Sequence, residues 1–272
     1  MKYIVAVSGG VDSMVLLDMM VRAGGHELIV AHFDHGIRDD SHLDAQLVRD
    51  VASKHGLVFE SKREELGKDA SEAYARERRY AFLRSLADKH KAEIVTAHHL
   101  DDLVETVAIN TTRGTGWRGL AVLDSGVKRP LLDIEKAKIL EYARRHAIEW
   151  REDSTNATPA YLRNRIRSQT HLLPEETKRE LRALHAHQRA LKREIHREVK
   201  NLIGSGSWYS RYFFIHLPTA VAYECLREIT GGKLTRPQLA RLLYAIKVAK
   251  PNATFEAGSG VRIYFSTRQF SL

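Results

Sequence analysis

Ser8-Gly9-Gly10-Val11-Asp12-Ser13 is a run of small and hydroxylated residues between an apolar stretch, Tyr3 to Val7, and a segment with helical apolar spacing, Met14 to Val21. A glycine turn from a strand into a helix lets backbone N–H groups close around an anion, and the helix dipole adds favourable potential there. The run therefore predicts a phosphate site built from Ser8, Gly9, Gly10, Val11, Asp12 and Ser13, with Asp12 as the candidate ligand for Mg2+. It lacks the Gly-Lys-Ser/Thr ending of a Walker loop, so the usual lysine contact to a terminal phosphate is absent and another class of nucleotide site is implied.

Further clusters of the same kind follow. His32-Phe33-Asp34-His35-Gly36-Ile37-Arg38 places a carboxylate, imidazoles and a guanidinium at one strand end. Glu72, Arg76 and Arg79 share a helix face by three-to-four spacing, either as a solvated ion-pair face or as part of a site. His98-His99-Leu100-Asp101-Asp102-Leu103-Val104-Glu105-Thr106 leads to Arg113-Gly114; on a helix, His98, Asp102 and Glu105 would lie on adjacent turns and hold a cation, whether magnesium or a substrate ammonium. Asp101 would point elsewhere. Arg129-Pro130-Leu131-Leu132, Glu152-Asp153-Ser154-x-Asn156 and Arg163-Asn164-x-Ile166-Arg167 complete the series. Zinc is disfavoured because the only cysteine is Cys225, which also leaves no intramolecular disulfide and agrees with a reducing compartment.

The elements that must position these groups alternate. Tyr3–Val7, Glu27–Phe33, Leu57–Ser61 and Ala92–Ala97 read as strands, and Met14–Val21, Asp44–His55, Ser71–His90 with Ser71 as cap, Asp101–Thr112 and Ile134–His146 as helices. Such alternation predicts an α/β fold with a parallel sheet, whose ligands bind outside the carboxyl ends of the strands, where the polar clusters fall. From Arg163 to Leu202 the chain reads as a basic helical arm interrupted by Pro174. Gly204-Ser205-Gly206-Ser207 is the strongest linker signal. Beyond it, Tyr212–His216, the helix-like Ala220–Ile229 and Pro237–Val248, and the alternating Val261–Phe265 suggest a small α+β module. The expected division is 1–162, 163–204 and 205–272.

Of the 272 residues, 43% are hydrophobic and 28% charged, as in globular proteins, and no apolar run reaches the length of a membrane helix. The amino terminus has no secretory pattern, so a cytoplasmic location and no membrane association are expected. The net charge of +9 is uneven: residues 1–162 carry 23 Lys/Arg and 26 Asp/Glu, residues 163–272 carry 20 and 8. That asymmetry suits a part that does small-molecule chemistry joined to one that grips a polyanion.

Ser8 to Ser13 reproduces in full the signature of the PP-loop, or ATP pyrophosphatase, family, which the sequence resembles. That resemblance implies an adenine nucleotide alpha hydrolase-like domain and ATP cleavage between the α and β phosphates. With the later motifs, the match from Tyr3 to about Arg167 resembles the tRNA(Ile)-lysidine synthase branch. This branch implies ATP as substrate, Mg2+ and free L-lysine, and as RNA partner tRNA(Ile) with a CAU anticodon, whose wobble cytidine is adenylated and then attacked by the lysine amine. It further implies Asp102, Glu105 and Arg113 for the lysine, Asp34 or His98 as proton acceptor, and Arg76, Arg79, Arg163, Arg167, Arg189, Lys192 and Arg193 for the tRNA. The tail resembles a shortened substrate-binding module without the extra carboxyl-terminal domain of longer members. A tRNA sulfurtransferase of the same superfamily, or an RNA-binding protein without catalysis, are the alternatives, and a homodimer is allowed.

Overall fold

The computed structural model describes residues 1–37, 40–67, 70–123, 126–152, 166, 169, 170 and 172–272. It divides into two compact units, residues 1–189 and 190–272.

In the first unit four strands, β1 (Lys2–Ala6), β2 (Glu27–Asp34), β3 (Val58–Arg63) and β4 (Glu93–Val95), form a parallel sheet in the order β3-β2-β1-β4. Side chains on a strand alternate between faces, and in a parallel sheet both faces are covered. Val5, Val7, Val30 and Val95 accordingly pack on one side against Met14, Leu17, Val48, Ile139 and Ala143, from the helices α1 (Val11–Ala23), α2 (Ser41–Lys54) and α5 (Lys136–Arg145). Ile4, Ile29, Ala31 and Ile94 point the other way, onto Tyr80, Leu83 and Leu86 of α3 (Glu72–His90). Ser71 caps α3 by accepting the Tyr74 amide at 3.2 Å, and the fourth connecting helix, α4 (Leu100–Thr112), has its own core of Leu100, Leu103, Val104 and Val107 with Leu132.

The chain leaves β1 toward β2 and β3 on one side, and β4 returns to the other. A parallel sheet opens a crevice where its strand order reverses in this way, at the carboxyl ends. Those ends here are the Ser8–Ser13 turn after β1 and the His98–Asp102 segment after β4. Beyond β4 the backbone is extended by a parallel bridge from Val95 to Lys128, with the Thr96 amide on the Lys128 carbonyl at 3.0 Å.

The second unit carries an antiparallel sheet, ordered β5 (Trp208–Ser210), β8 (Gln269–Ser271), β7 (Val261–Phe265), β6 (Thr254–Gly258). The helices Arg211–His216, Thr219–Ile229 and Arg236–Val248 share with it a core of Phe214, Leu226, Leu239, Leu242, Ile246, Ile263 and Phe270. This is an α+β arrangement. The division between the units differs from a break at Gly204 to Ser207. It falls within the helix Glu175–Ile203, because Val199, Ile195 and Ile203 belong to the second core. Among the described residues no helix is long and apolar enough to cross a membrane.

Cys225 is fully buried in this second core, and burial, with the nearby Glu224 charge, pushes its thiol up to about 11. Since the thiolate is the reactive form, native protein at pH 8 should resist a thiol reagent that labels the denatured chain within minutes. Rapid native labelling, counted by mass spectrometry, would contradict this packing.

Candidate active site

The turn after β1 is held by its own hydroxyls. The Ser13 hydroxyl donates to the Gly10 carbonyl at 2.9 Å and accepts the Ser8 amide at 3.1 Å, and the Ser8 and Ser13 hydroxyls lie 3.2 Å apart. Gly9 has φ +94°, and a Cβ there would meet Cβ of Asp44 at 3.2 Å, so both conformation and space call for glycine. Gly10 caps α1 without a side-chain bond, leaving first-turn amides of the helix without intrahelical acceptors, the usual condition for anion binding. Asp12 stands half-exposed on this first turn.

Two neighbours brace the turn. His32, buried at the end of β2, places Nδ1 2.9 Å from the Val7 carbonyl, and burial lowers its pKa. Arg151 donates its amide to the Gly9 carbonyl at 3.0 Å while its guanidinium pairs with Asp44 and Asp40, each at 2.8 Å.

Asp34 is buried and already occupied: its carboxylate accepts the Gly36 amide at 2.9 Å and the Ser41 hydroxyl at 3.0 Å, and Arg63 lies 3.3 Å away. These contacts tie the loop after β2 to the start of α2 and to β3. A carboxylate so engaged positions the scaffold. Arg38 of the same motif lies outside the described residues.

The segment after β4 departs from the helical reading of His98. The helix α4 starts at Leu100 with extended backbone at its cap, His99, so His98 precedes the helix and does not follow three-to-four spacing with Asp102 and Glu105. His98 is nonetheless beside Asp102 electrostatically. It is held by Thr96, Oγ1 to Nδ1 at 2.8 Å, and its pKa falls to about 3: burial is the main cause, and Arg129, Arg76 and Arg79 add to it against the pull of Asp102. His98 is therefore neutral at physiological pH.

His99 is the side chain that joins the two halves of the crevice. Its buried imidazole places Nε2 3.4 Å from Asp102 Oδ2 and 3.8 Å from Asp12 Oδ2, with Nδ1 3.7 Å from Asp101 Oδ2. Its amide donates to the Asp102 carboxylate at 3.0 Å, a reciprocal cap that fixes Asp102 on the first turn of α4. Asp101 turns away as expected, accepting the Lys136 amide at 2.8 Å and the Lys178 ammonium at 2.6 Å. Burial acts to raise its carboxyl pKa, but those bonds outweigh it and hold the value below the ordinary one. Glu105, one turn beyond Asp102 on the same face, is 2% exposed. Arg113 caps the far end of α4 and is exposed; at 1.5 Å per residue its Cα lies ~12 Å along the axis from Glu105. Among the described residues, no three His, Cys, Asp or Glu side chains converge as a metal cage.

Basic side chains gather behind His98. Arg76 and Arg79 lie over the Tyr80 ring at 5.0 and 5.7 Å. Arg129 donates to the Leu123 and Val127 carbonyls, and burial together with repulsion from Arg76 and Arg189 lowers its pKa. Arg189 is half-buried within this group, Lys192 is half-buried and Arg193 exposed. Other cations of the helix Glu175–Ile203 are spent inside the chain, Lys178 on Asp101, Arg179 on Glu175 and Arg182 on Asp133. Arg163 and Arg167 lie outside the described residues, as do Asp153, Asn156 and Asn164. The residues not anticipated as parts of the site are His99, Lys136, Lys178, Arg151 and Asp44; only His99 stood within a motif already singled out.

The model of the PP-loop domain matches residues 1–176. A tRNA(Ile)-lysidine synthase of Solibacter usitatus is 41% identical over 169 residues, covering 60% of this chain and 38% of that protein. One of Thermus thermophilus is 42% identical over 172 residues, covering 60% and 34%. The matched part thus spans little more than a third of either relative. Among solved structures, the U34-tRNA thiolase NcsA of Methanococcus maripaludis, described with its [4Fe-4S] cluster, superimposes with a TM-score of 0.59 at 18% identity, covering 70% of this chain and 72% of that one, a likeness of fold.

The depressed pKa of His98 has a consequence for stability. The unfolded chain takes up a proton below about pH 6.5 that the folded chain refuses until about pH 3, so the His98 contribution is intact above 6.5 and is lost progressively as pH falls toward 3. Unfolding free energy should drop across this window, and His98→Gln should flatten part of the slope, the rest coming from His32, whose pKa burial also lowers, and from carboxylates held below their ordinary value, such as Asp101. Urea titrations at pH 7, 5.5 and 4.5 measure it; equal slopes in both proteins would contradict the assignment.

Proposed function

Because the chain belongs to the PP-loop family through residues 1–176, we propose that it uses ATP to join free lysine to C2 of the wobble cytidine of tRNA(Ile) with a CAU anticodon. In the first step the cytidine O2 attacks the α-phosphorus, the bond between α and β phosphates breaks, and pyrophosphate leaves. In the second, the lysine ε-nitrogen attacks C2, the C2–O bond breaks and AMP departs. The amine sheds its proton on attack.

One observation carries this reading above the others: the His99 imidazole lies within 4 Å of both Asp12 on the anion-binding turn and Asp102 at the start of α4. An anion-binding turn and acidic side chains suited to an ammonium thus share one crevice, as a reaction that places an amine against an adenylated base requires. The Ser8–Ser13 turn would hold the leaving phosphates through backbone amides and the α1 dipole. Asp12 fits Mg2+, which is held by one or two carboxylates plus phosphate oxygens rather than by a protein cage, and which when bound neutralises charge developing on those oxygens. Asp102 and Glu105 would receive the lysine ammonium, and Arg113 its carboxylate. Of the two proton acceptors considered, Asp34 is committed to structural bonds, and His98, beside Asp102, is neutral but with a pKa of about 3 is a weak base. Arg76, Arg79 and Arg189, with Arg163 and Arg167, would face the tRNA. A cytoplasmic location follows from this substrate.

Sulfur transfer is disfavoured by the same side chains. It would need a reactive cysteine, and Cys225 is buried in the second unit with its thiol driven away from ionisation.

The test is direct: protein, ATP, magnesium, labelled lysine and total tRNA should yield label at the wobble base of an isoleucine tRNA, and its absence rejects the reading. Glu105→Gln should raise the KM for lysine about tenfold or more while leaving that for ATP nearly unchanged, since it removes one partner of a desolvated ion pair. Equal losses for both would move Glu105 to the nucleotide.

Binding of tRNA should be salt-sensitive. Each phosphate contact contributes about −0.7 to −0.9 to the slope of log affinity against log salt, so neutralising Arg189, Lys192 and Arg193 together should flatten that slope and weaken cognate and non-cognate tRNA alike. Unchanged slope and affinity would place the RNA surface elsewhere.

A further inference from the structure

Lys136 opens α5, and its ammonium rests on the Asp12 carboxylate, 124 positions away in sequence. The Ser8–Ser13 turn itself carries no lysine, although nucleotide-binding turns commonly meet the outer phosphates with one. We propose that Lys136 supplies this cation from another element, binding the pyrophosphate portion of the nucleotide and exchanging Asp12 for phosphate as ligand arrives and leaves. The proposal rests on the reading of the turn as a nucleotide site.

Three features of the packing fit such a device. The root of the side chain is fixed: the Lys136 amide donates to Asp101 Oδ2 at 2.8 Å, and Asp101 is itself held by the Lys178 ammonium at 2.6 Å. The helix that carries it is pinned to α1, through Ile139 and Ala143 in the shared core and through the Tyr142 hydroxyl on Asp18 at 2.9 Å. Since α1 begins at the anion-binding turn, the two helix starts stay opposed.

The tip, by contrast, is open to solvent. Lys136 and Asp12 side chains are each about one-third exposed, 33% and 32%, so a ligand can reach the pair. A part-exposed ion pair is worth little in water, so exchanging the carboxylate for phosphate oxygens meets a small barrier. The flexible four-carbon stem of lysine and its point charge suit the exchange. Without a cation beside it, Asp12 would repel the phosphates that the turn attracts. Lys178 is buried 8% exposed on Asp101 and is not placed to replace Lys136.

Calorimetric titration of the full chain with inorganic pyrophosphate, ATP and AMP tests this without a turnover assay. Lys136→Met should weaken pyrophosphate about tenfold or more, equivalent to ~1.4 kcal/mol. AMP, which lacks the outer phosphates, should bind within about twofold of wild type, and Lys136→Arg should restore most of the pyrophosphate affinity; Lys136→Gln serves if the Met variant does not fold. Equal pyrophosphate affinity in wild type and the neutral variants would overturn the proposal and leave the nucleotide site standing. Equal loss for AMP and pyrophosphate would also overturn it, showing that Lys136 only shapes the turn. If the wild type binds neither ATP nor pyrophosphate, the nucleotide reading falls first.

Discussion

The pairing of β1 with β2 on one side and β4 on the other is the constraint from which the site descends. Parallel pairing forces every connection across a face of the sheet, so the carboxyl ends of these neighbours open together. The turn that leaves β1 must start a helix at once, and Gly9 supplies the backbone angle and the absent side chain that let it pass Asp44. The segment that leaves β4 delays its helix until Leu100, which puts His99 in extended conformation with its ring inward. One residue more or less in either connection would aim a different side chain at the crevice.

Acidic residues dominate the first 162 positions, yet around the crevice they are neutralised from within. Asp12 takes Lys136, Asp101 takes Lys178, Asp34 takes Arg63, and Asp40 and Asp44 share Arg151. Several of these partners are more than a hundred residues distant. They act as fasteners between elements as well as counter-charges: Arg151 ties its segment to α2 and to the Gly9 carbonyl, and Lys178 ties the helix Glu175–Ile203 to α4. The charge balance of a stretch of sequence therefore overstates the charge that it offers to a ligand.

Much of the first unit was legible in the sequence because its signals are local. Short continuous apolar runs such as Tyr3 to Val7 and Leu28 to Ala31 mark strands buried on both faces, and Ser71 marks a helix start by the hydroxyl that accepts the Tyr74 amide. The glycine turn from β1 into α1 was legible for the same reason: its hydroxyls bond to the turn itself, Ser13 to the Gly10 carbonyl and to the Ser8 amide. What failed were readings that needed the tertiary environment. Helical spacing assigned His98 to α4, whereas the helix starts two residues later. Nor could the sequence show the surroundings of Asp34, whose oxygens meet a loop amide from Gly36, a hydroxyl from α2 and a guanidinium from β3. In the second unit the strands β5, β6 and β8 have three to five residues and little alternation, so only β7 announced itself.

The basic helix Glu175–Ile203 shows why counting charges and locating a surface are different problems. Lys178 and Arg182 are drawn into pairs with Asp101 and Asp133, while Arg193 remains exposed and Arg189 lies near Arg129. Burial, with repulsion from Arg76 and Arg189, lowers the Arg129 pKa, so gathering these cations has a cost that a desolvated counter-charge beside them would offset. His98 in their midst is neutral chiefly because it is buried, and the positive field of Arg129, Arg76 and Arg79 lowers its pKa further against the pull of Asp102. Burial and that field together keep the imidazole unprotonated, so His98 sits among the arginines without adding a further positive charge to the group.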